Sequence, residues 1–228
     1  PRAAVKAQVL MAQMDDGFAA ARGALLEIAL KRAPFEGWTR IMMSRAAVEA
    51  GVSRSEVAAA FPKGVSDLLE FWSDRLDEGM AEAMSGPIFT GLKIREKVGF
   101  GVRTRLGAMR AHKEAARRAA ATLALPLYAT LAPRLIWRTA DAIWRGLGDK
   151  STDFNFYSKR AILSAVWAST FARWLGDDSA GETLTNEFLD RRIDNVMQFE
   201  KVKARLRESG VDPSAFLGAI AKLRYPQR

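Results

Sequence analysis

The chain has 228 residues, 49% of them hydrophobic, and its 35 lysines and arginines outweigh 26 acidic residues to give a formal net charge of +9. This apolar content is enough to bury the core of one domain or of two small ones. The chain contains no cysteine, which excludes a disulfide framework, a thiolate metal site and a cysteine nucleophile, and no apolar run approaches the roughly 20 residues that a membrane-spanning helix requires.

Apolar residues recur at helical spacing along the whole chain without an alternating strand pattern, so the sequence predicts an all-α fold. The first predicted helix stops before Pro34. Gly51 suits the C-terminal cap of the second helix, and Ser53, three residues before Glu56, has the capping-box spacing that starts the third. The N-terminal helices are predicted at residues 15–31, 40–50, 54–61 and 66–84.

Gly86 and Pro87 mark the predicted boundary between an N-terminal unit, residues 15–85, and a larger helical body, residues 86–209. A third segment, residues 210–228, is predicted to form an amphipathic helix. The helices beyond the boundary are predicted at residues 92–124, 133–147, 154–175, 184–209 and 213–225.

Charge is divided unevenly along the chain. Residues 15–80 hold 8 lysines and arginines against 11 acidic residues, a net charge of −3, which leaves +12 for the remainder of the chain. Residues 93–138 alone hold 11 basic residues and 2 glutamates. Such a block is either a solvated helix face or the contact for an anionic partner or a membrane surface.

Residues that carry catalysis or bind metals are scarce. His112 is the only histidine, which excludes the paired Glu-x-x-His and HExxH metal sites, and the sequence has neither a G-x-S-x-G elbow nor a Walker P-loop. Asp74, Asp77 and Glu78 form a carboxylate cluster that is expected on an exposed helix face. We therefore expect no catalytic residue, no metal site and no cofactor, and an enzyme without recognisable motifs is a remote alternative.

The N-terminal unit resembles the helix-turn-helix domain of the TetR family. The matching residues are the Gly37-Trp38 step, Ala47, the turn Ala50-Gly51-Val52-Ser53 and the ending Phe61-Pro62. This resemblance implies a TetR-like protein with an N-terminal helix-turn-helix unit and a larger body for ligand binding and dimerisation.

The departures from the TetR pattern fall where DNA would be contacted. Ala58 stands where the family's repressors usually carry a phosphate-contacting tyrosine, and Glu56 and Ala60 replace residues that donate to the DNA backbone or bases. The lysine expected after Phe-Pro falls one residue early, at Lys63. Direct readout needs donors or small contact groups at such positions, and phosphate contact needs positive charge. We expect no specific DNA binding.

Residues 148–160, GDKSTDFNFYSKR, place three aromatic residues within four positions. With the helix-turn-helix unit, Trp144 and the ending Arg191…Asp194-Asn195-Val196-Met197, this segment resembles the Coq-nine family, lipid-binding accessory proteins of ubiquinone biosynthesis. The resemblance implies a homodimer that has lost DNA binding and performs no chemistry. It further implies a bound isoprenoid quinone intermediate or phospholipid, and a partner in the di-iron demethoxyubiquinone hydroxylase of the Coq-seven family.

The predicted helix at residues 133–147 carries two stripes of residues, and each needs a contact surface. Its core stripe contains Ile136, Ala140, Ile143 and Leu147. A second stripe about a quarter turn away contains Trp137, Asp141 and Trp144. Together with Arg145, this second stripe is the predicted docking site for the hydroxylase, and the resemblance assigns the partner role to Trp144 in particular. The alternative is that both tryptophans belong to the core.

An elongated apolar pocket is predicted within residues 92–200. The helices there carry polar faces and also a surplus of apolar residues, and a bound ligand would supply the contacts that this surplus lacks. A filled core is the alternative. The predicted lipid-binding residues are Phe100, Leu106, Ile136, Ile143, Ile162 and Trp167.

Asp212 and Pro213 have the residue types of an N-cap and a first helical position, so they start the last predicted helix. Members of the resembled family end in an amphipathic helix that meets the membrane, whereas the alternative is packing on the chain's own domain. The predicted membrane-binding residues are Phe216, Leu217, Ile220, Leu223, Lys222 and Arg224.

We expect a non-catalytic accessory protein that binds an isoprenoid quinone precursor and presents it to the hydroxylase at the membrane. The alternative is a ligand-responsive transcriptional regulator of the TetR type. The Ala- and Arg-rich composition is typical of a bacterial protein, which would be cytoplasmic and peripheral on the inner membrane. If a targeting peptide was removed before Pro1, the protein would instead lie on the matrix side of the mitochondrial inner membrane.

Overall fold

The computed structural model describes residues 2–150, 152 and 154–208, and within these ranges the chain forms α-helices and short 3₁₀ turns without a β-strand. The all-α prediction is therefore confirmed. The helices are α1 (Arg2–Glu36), α2 (Arg40–Glu49), α3 (Arg54–Ala60), α4 (Val65–Met84), α5 (Pro87–Thr90), α6 (Ile94–Met109), α7 (Lys113–Leu123), α8 (Leu131–Gly146), α9 (Phe154–Leu175) and α10 (Thr183–Glu208). The 3₁₀ turns are Arg110–His112, Pro126–Tyr128 and Ala180–Glu182.

Helices α2 and α3 form the predicted helix-turn-helix, and local capping fixes their ends. The hydroxyl of Thr39 accepts a hydrogen bond from the amide of Met42 at 3.0 Å, which starts α2. Gly51 has a φ of +68°, a backbone conformation that suits glycine after a helix. Ser53 and Glu56 make the reciprocal capping box at the start of α3, as predicted.

Helix α1 is longer than predicted at both ends and contains Pro34. The prediction that the helix stops before Pro34 was wrong because this proline lies in the last turn. A proline removes one helical N–H donor, but only two helical residues follow it. The amide of Gly37 still closes the turn on the carbonyl of Ala33 at 2.9 Å.

The single helix predicted at residues 92–124 is broken into α6 and α7 by the 3₁₀ turn Arg110–His112. The turn lets α7 pack against α1. Trp38, at the end of the α1–α2 connection, donates a hydrogen bond from Nε1 to the carbonyl of Ala115 at 2.9 Å. This contact ties α7, beyond the break, to the connection that follows α1.

Helix α4 joins the N-terminal unit to the body, because it packs on both α6 and α8. Trp72 of α4 stacks on Trp38 with ring centroids 5.4 Å apart, while Met84 at its other end lies close to Gly101 of α6. A single cluster of buried apolar residues extends from Leu25 to Ile193. The core thus continues across the boundary predicted at residues 85 and 86, and the division into units stays a prediction.

No helix in the described ranges is long and apolar enough to cross a membrane. The predicted membrane-binding helix at residues 213–225, with Phe216, Leu217, Ile220, Leu223, Lys222 and Arg224, lies outside the described residues.

Candidate functional site

Helices α4, α6, α7, α8 and α9 surround an apolar cavity of about 290 Å³. Space is left there because one side of the wall is built from small side chains, Ala116, Ala119 and Ala120 of α7. Large rings from α9, Trp167 and Phe171, form another part of the wall and stack with centroids 5.5 Å apart. The volume is just below the ~300–1,000 Å³ that small-molecule pockets occupy.

One stretch of the cavity wall is polar and buried. The guanidinium of Arg105, 5% exposed, donates to a carboxylate oxygen of Asp77 at 2.6 Å and to the hydroxyl of Ser73 at 2.8 Å. Thr139 donates to the same carboxylate at 3.0 Å. The Cζ atom of Arg105 also lies 4.6 Å from the centroid of the Trp167 ring. An apolar cavity with one fixed polar patch suits an amphipathic ligand.

The expectation that Asp74, Asp77 and Glu78 form one exposed face was wrong for Asp77, which is 9% exposed. Its partner Arg105 comes from α6, so helical periodicity within α4 alone does not reveal the burial. Asp74 is half-buried and pairs with Arg138 at 2.7 Å. Burial raises the pKa of Asp74 above its ordinary value, and the neighbouring Arg138 offsets only part of that rise.

The six predicted lipid-binding residues do not share one cavity. Ile136 and Trp167 line the cavity described above. Ile162 lines a separate pocket of about 150 Å³ between α6, α9 and α10. Phe100 borders an open groove between α6 and α10, and Leu106 and Ile143 lie inside the core, 3% and 0% exposed.

Sequence reasoning did not assign the cavity-lining alanines of α7 to the site. The signal was present as an alanine-rich stretch at residues 115–121. Small residues in a buried helix face indicate either close helix packing or unfilled space, and only the position of the neighbouring helices distinguishes the two.

The predicted docking stripe on α8 is only partly exposed. The ring of Trp144 is half-buried, and its Nε1 donates to the carbonyl of Lys159 at 3.1 Å. Asp141 is 9% exposed and pairs with Arg160 at 2.6 Å and with Arg145. Trp137 is also half-buried, with its ring 6.4 Å from that of Tyr157.

Arg145 and Tyr157 are the exposed members of this region. The Arg145 side chain is 77% exposed, and Tyr157 is 61% exposed. Trp137 and Trp144 therefore pack between α8 and α9 on one side and are exposed to solvent on the other.

The distinctive segment at residues 148–160 ties the end of α8 to α9. Arg160 is 2% exposed and reaches Asp141 at 2.6 Å, Asp149 at 3.0 Å and the carbonyl of Phe156 at 3.2 Å. Its guanidinium also lies 3.5 Å from the centroid of the Phe156 ring. The arrangement fixes the α8–α9 corner, on which the predicted docking stripe lies.

Another buried carboxylate closes the connection between α9 and α10. Asp177 accepts hydrogen bonds from the amides of Ser179 and Thr185 at 2.9 and 2.7 Å, and from both hydroxyls. Burial favours a raised pKa, but the hydrogen bonds from Ser179 and Thr185 outweigh it and hold the pKa of Asp177 well below its ordinary value. Across the described ranges, no group of three or more His, Cys, Asp or Glu is placed to hold a metal ion.

Helix α3 presents small side chains to solvent. Ala58 and Ala59 are exposed, whereas the carboxylate of Glu56 accepts the amide of Ser53 at 2.7 Å. Ala60 is 7% exposed and packs inward against the core, so it offers no donor on the surface of α3.

Comparisons with known proteins agree on one family. The family model described as COQ9 matches residues 129–200. The chain is 30% identical over 211 residues to "Probable ubiquinone biosynthesis protein coq9, mitochondrial" of Dictyostelium discoideum, covering 87% of this chain and 67% of that protein. It is 28% identical over 193 residues to "Ubiquinone biosynthesis protein COQ9, mitochondrial" of Homo sapiens, covering 82% of this chain and 60% of that protein. The chain thus spans about two thirds or less of the length of these two relatives.

The fold has a match among solved structures. The crystal structure of a TetR transcriptional regulator from Nitrosomonas europaea superposes with a TM-score of 0.63 at 20% identity, over 76% of this chain and 95% of that one. The predicted TetR-like fold is therefore confirmed, and at this identity the match bears on the fold alone.

Proposed function

The chain belongs to the COQ9 family of ubiquinone biosynthesis proteins, and we propose that it is a non-catalytic accessory protein that binds an isoprenoid quinone precursor. It presents this lipid to the di-iron demethoxyubiquinone hydroxylase at a membrane. The protein acts as a homodimer. It works on the cytoplasmic face of the inner membrane in a bacterium, or on the matrix face in a mitochondrion.

The observation that carries the proposal is the cavity between α4 and α9. A quinone precursor joins a polar ring to an apolar isoprenoid tail, and the cavity joins a polar patch around Arg105 to an apolar wall. Such a patch orients a ligand while the apolar wall supplies most of the contact area. A volume of about 290 Å³ holds the ring and the start of the tail, so the rest of a long tail lies outside it.

Delivery to the hydroxylase uses the surface formed by Trp137, Trp144 and Arg145. Large aromatic residues near an interface centre contribute strongly to protein binding, and the exposed guanidinium of Arg145 adds a charge that selects the partner's orientation. This surface and the cavity share α8, so ligand binding and partner docking involve the same helix.

Native mass spectrometry of the purified protein, followed by extraction and identification of the released lipid, tests the proposal. We expect adducts whose extracted mass and fragmentation match an isoprenoid quinone precursor or a phospholipid. Protein that remains lipid-free after purification, and after incubation with a demethoxyubiquinone in detergent, would contradict the proposed function.

A further inference from the structure

The connection between α7 and α8 exposes large apolar residues. Leu125 is 53% exposed and Leu127 is 83% exposed, with Pro126 between them also exposed. We propose that this loop, residues 124–130, inserts into the surface of an anionic lipid bilayer and sets the opening of the cavity against the hydrocarbon. The contact is separate from any made by residues 213–228.

The loop lies at the cavity. Leu123 and Ala124 line the cavity at the end of α7, and Ala132 and Leu135 line it at the start of α8. Ala124 is both a lining residue and exposed to solvent, so the cavity is open beside the loop. Leu125 and Leu127 follow Ala124 in the chain, so a lipid tail that leaves the cavity beside Ala124 emerges close to the loop.

Hydrogen bonds within the loop satisfy backbone groups that would otherwise be unpaired in an apolar environment. The amide of Tyr128 donates to the carbonyl of Leu125 at 2.9 Å, and the amide of Ala129 donates to that of Pro126 at 3.2 Å. Pro126 has no amide hydrogen to lose. Because unsatisfied backbone groups are what makes loops unfavourable in hydrocarbon, this 3₁₀ turn enters a bilayer at lower cost than an open loop.

Charge complementarity selects a bilayer with anionic lipids as the occupant. Residues 115–140 contain four arginines and no acidic residue. Arg118 lies five residues before the end of α7 and Arg134 three residues after the start of α8, which puts both roughly 5–8 Å behind the loop at 1.5 Å per residue. That distance is comparable to the depth of about 5–10 Å at which interfacial segments sit below the headgroups.

Carboxylates from other positions offset part of this charge. Glu114 pairs with Arg117 and Arg118, Glu70 of α4 pairs with Arg134 and Arg138, and Asp74 also pairs with Arg138. Each of these glutamates is shared between two arginines, so a lipid phosphate can pair with one arginine of a set while the glutamate stays paired with the other. Ile41 and Val48 of α2, 66% and 80% exposed, are among the exposed apolar residues elsewhere in the molecule. They lie in the acidic N-terminal unit and serve as a matched control.

A single-cysteine label tests insertion directly, because the natural chain has no cysteine. We expect an environment-sensitive fluorophore on a Leu127→Cys variant to shift to the blue with vesicles of phosphatidylcholine and phosphatidylglycerol, and to be quenched by lipids brominated in the acyl chain. The same label on a Val48→Cys variant is expected to show neither effect. No shift at position 127, or equal shifts at both positions, would overturn the proposal.

Flotation with the same vesicles measures the contribution of the loop. The double variant Leu125→Ser/Leu127→Ser is expected to lose about tenfold or more in vesicle binding, because two apolar side chains no longer leave water. The control Ile41→Ser/Val48→Ser is expected to bind like the unchanged protein. Equal flotation of the loop variant and the unchanged protein would overturn the proposal.

The ligand path rests on the proposed function, but the membrane contact does not. Lipid content measured by native mass spectrometry on the same proteins separates the two. If the loop inserts into vesicles but the protein never carries lipid, the proposed function is contradicted and the membrane contact stands. If the protein carries lipid but the label on the loop stays in water, the membrane contact is contradicted and the proposed function stands.

Discussion

At the scale of single residues, the buried pair of Asp77 and Arg105 determines the polarity of the cavity wall. Both side chains are almost fully buried, and their bond of 2.6 Å is supported by Ser73 and Thr139. A buried charge that loses its partner is strongly destabilising, whereas replacing both partners by apolar residues is often neutral.

We therefore predict that Asp77→Leu lowers the free energy of unfolding by about 3–5 kcal/mol, and that Asp77→Leu/Arg105→Met recovers most of the loss. Urea denaturation followed by tryptophan fluorescence measures both. The control is Glu78→Ala, an exposed neighbour on α4, for which a change within about 0.5 kcal/mol is expected. If Asp77→Leu were as stable as Glu78→Ala, the pair of Asp77 and Arg105 would not contribute to the stability of the fold.

Asp177 gives the protein a stability that depends on pH. Its pKa is depressed in the folded state, so its contribution is present above the unfolded value of about 4 and is lost as the pH falls below it. We predict that Asp177→Asn costs about 2 kcal/mol at neutral pH, because hydrogen bonds to a charged group are lost. The cost should shrink as the pH is lowered below 4.

Thermal unfolding measured from neutral to acid pH checks this behaviour. Asp178→Asn changes the exposed neighbour and is expected to leave the profile unchanged. If the difference in stability between Asp177→Asn and Asp178→Asn stayed the same from neutral to acid pH, the assigned role of Asp177 would be contradicted.

At the scale of the secondary-structure elements, α3 keeps the shape of a recognition helix without its donors. Ala58 and Ala59 face solvent, and the unit at residues 15–80 carries a net charge of −3. We predict no specific DNA affinity in mobility-shift assays with genomic fragments at physiological salt. A complex tighter than about 10⁻⁷ M, beyond the ordinary non-specific range, would instead favour the transcriptional regulator.

Helix α8 carries the proposed contact with the hydroxylase. Trp144 is half-buried and hydrogen-bonded, so a charged residue there is expected to destabilise the fold, and Arg145 is the cleaner position for a test. We predict that Arg145→Glu reduces co-purification of the hydroxylase by tenfold or more, with stability changed by less than about 1 kcal/mol.

Arg191→Glu is the matched control, because Arg191 is also exposed and paired with a carboxylate four residues away, Glu187. It is expected to retain the hydroxylase. Loss of the partner in both variants would point to net charge rather than to the α8 surface.

The elements also show what local sequence determines. The C-terminal end of α2 and the start of α3 were predictable, because glycine at position 51 and the capping box at Ser53 act within a few residues. The bend at Arg110–His112 and the burial of Asp77 were not, because each depends on a helix that is distant in sequence. Periodicity placed Ile143 on the core stripe of α8, where it is fully buried, but it does not reveal where neighbouring helices leave space.

At the scale of the whole molecule, a TetR-like frame combines an acidic helix-turn-helix unit with a basic body that contains the apolar cavity. The frame places the cavity, the α8 surface and the α7–α8 loop on adjoining helices. This arrangement suits a carrier that takes a lipid from a membrane and offers it to a partner protein.

The central claim, that the cavity binds the lipid, is tested most directly by filling it. Ala120 of α7 lines the cavity, whereas its neighbour Ala121 is exposed. Native mass spectrometry should show lipid bound to the unchanged protein and to Ala121→Trp, and a loss of tenfold or more for Ala120→Trp with its thermal unfolding still cooperative. Equal lipid content in Ala120→Trp and Ala121→Trp would contradict the claim, because the lipid would then lie elsewhere.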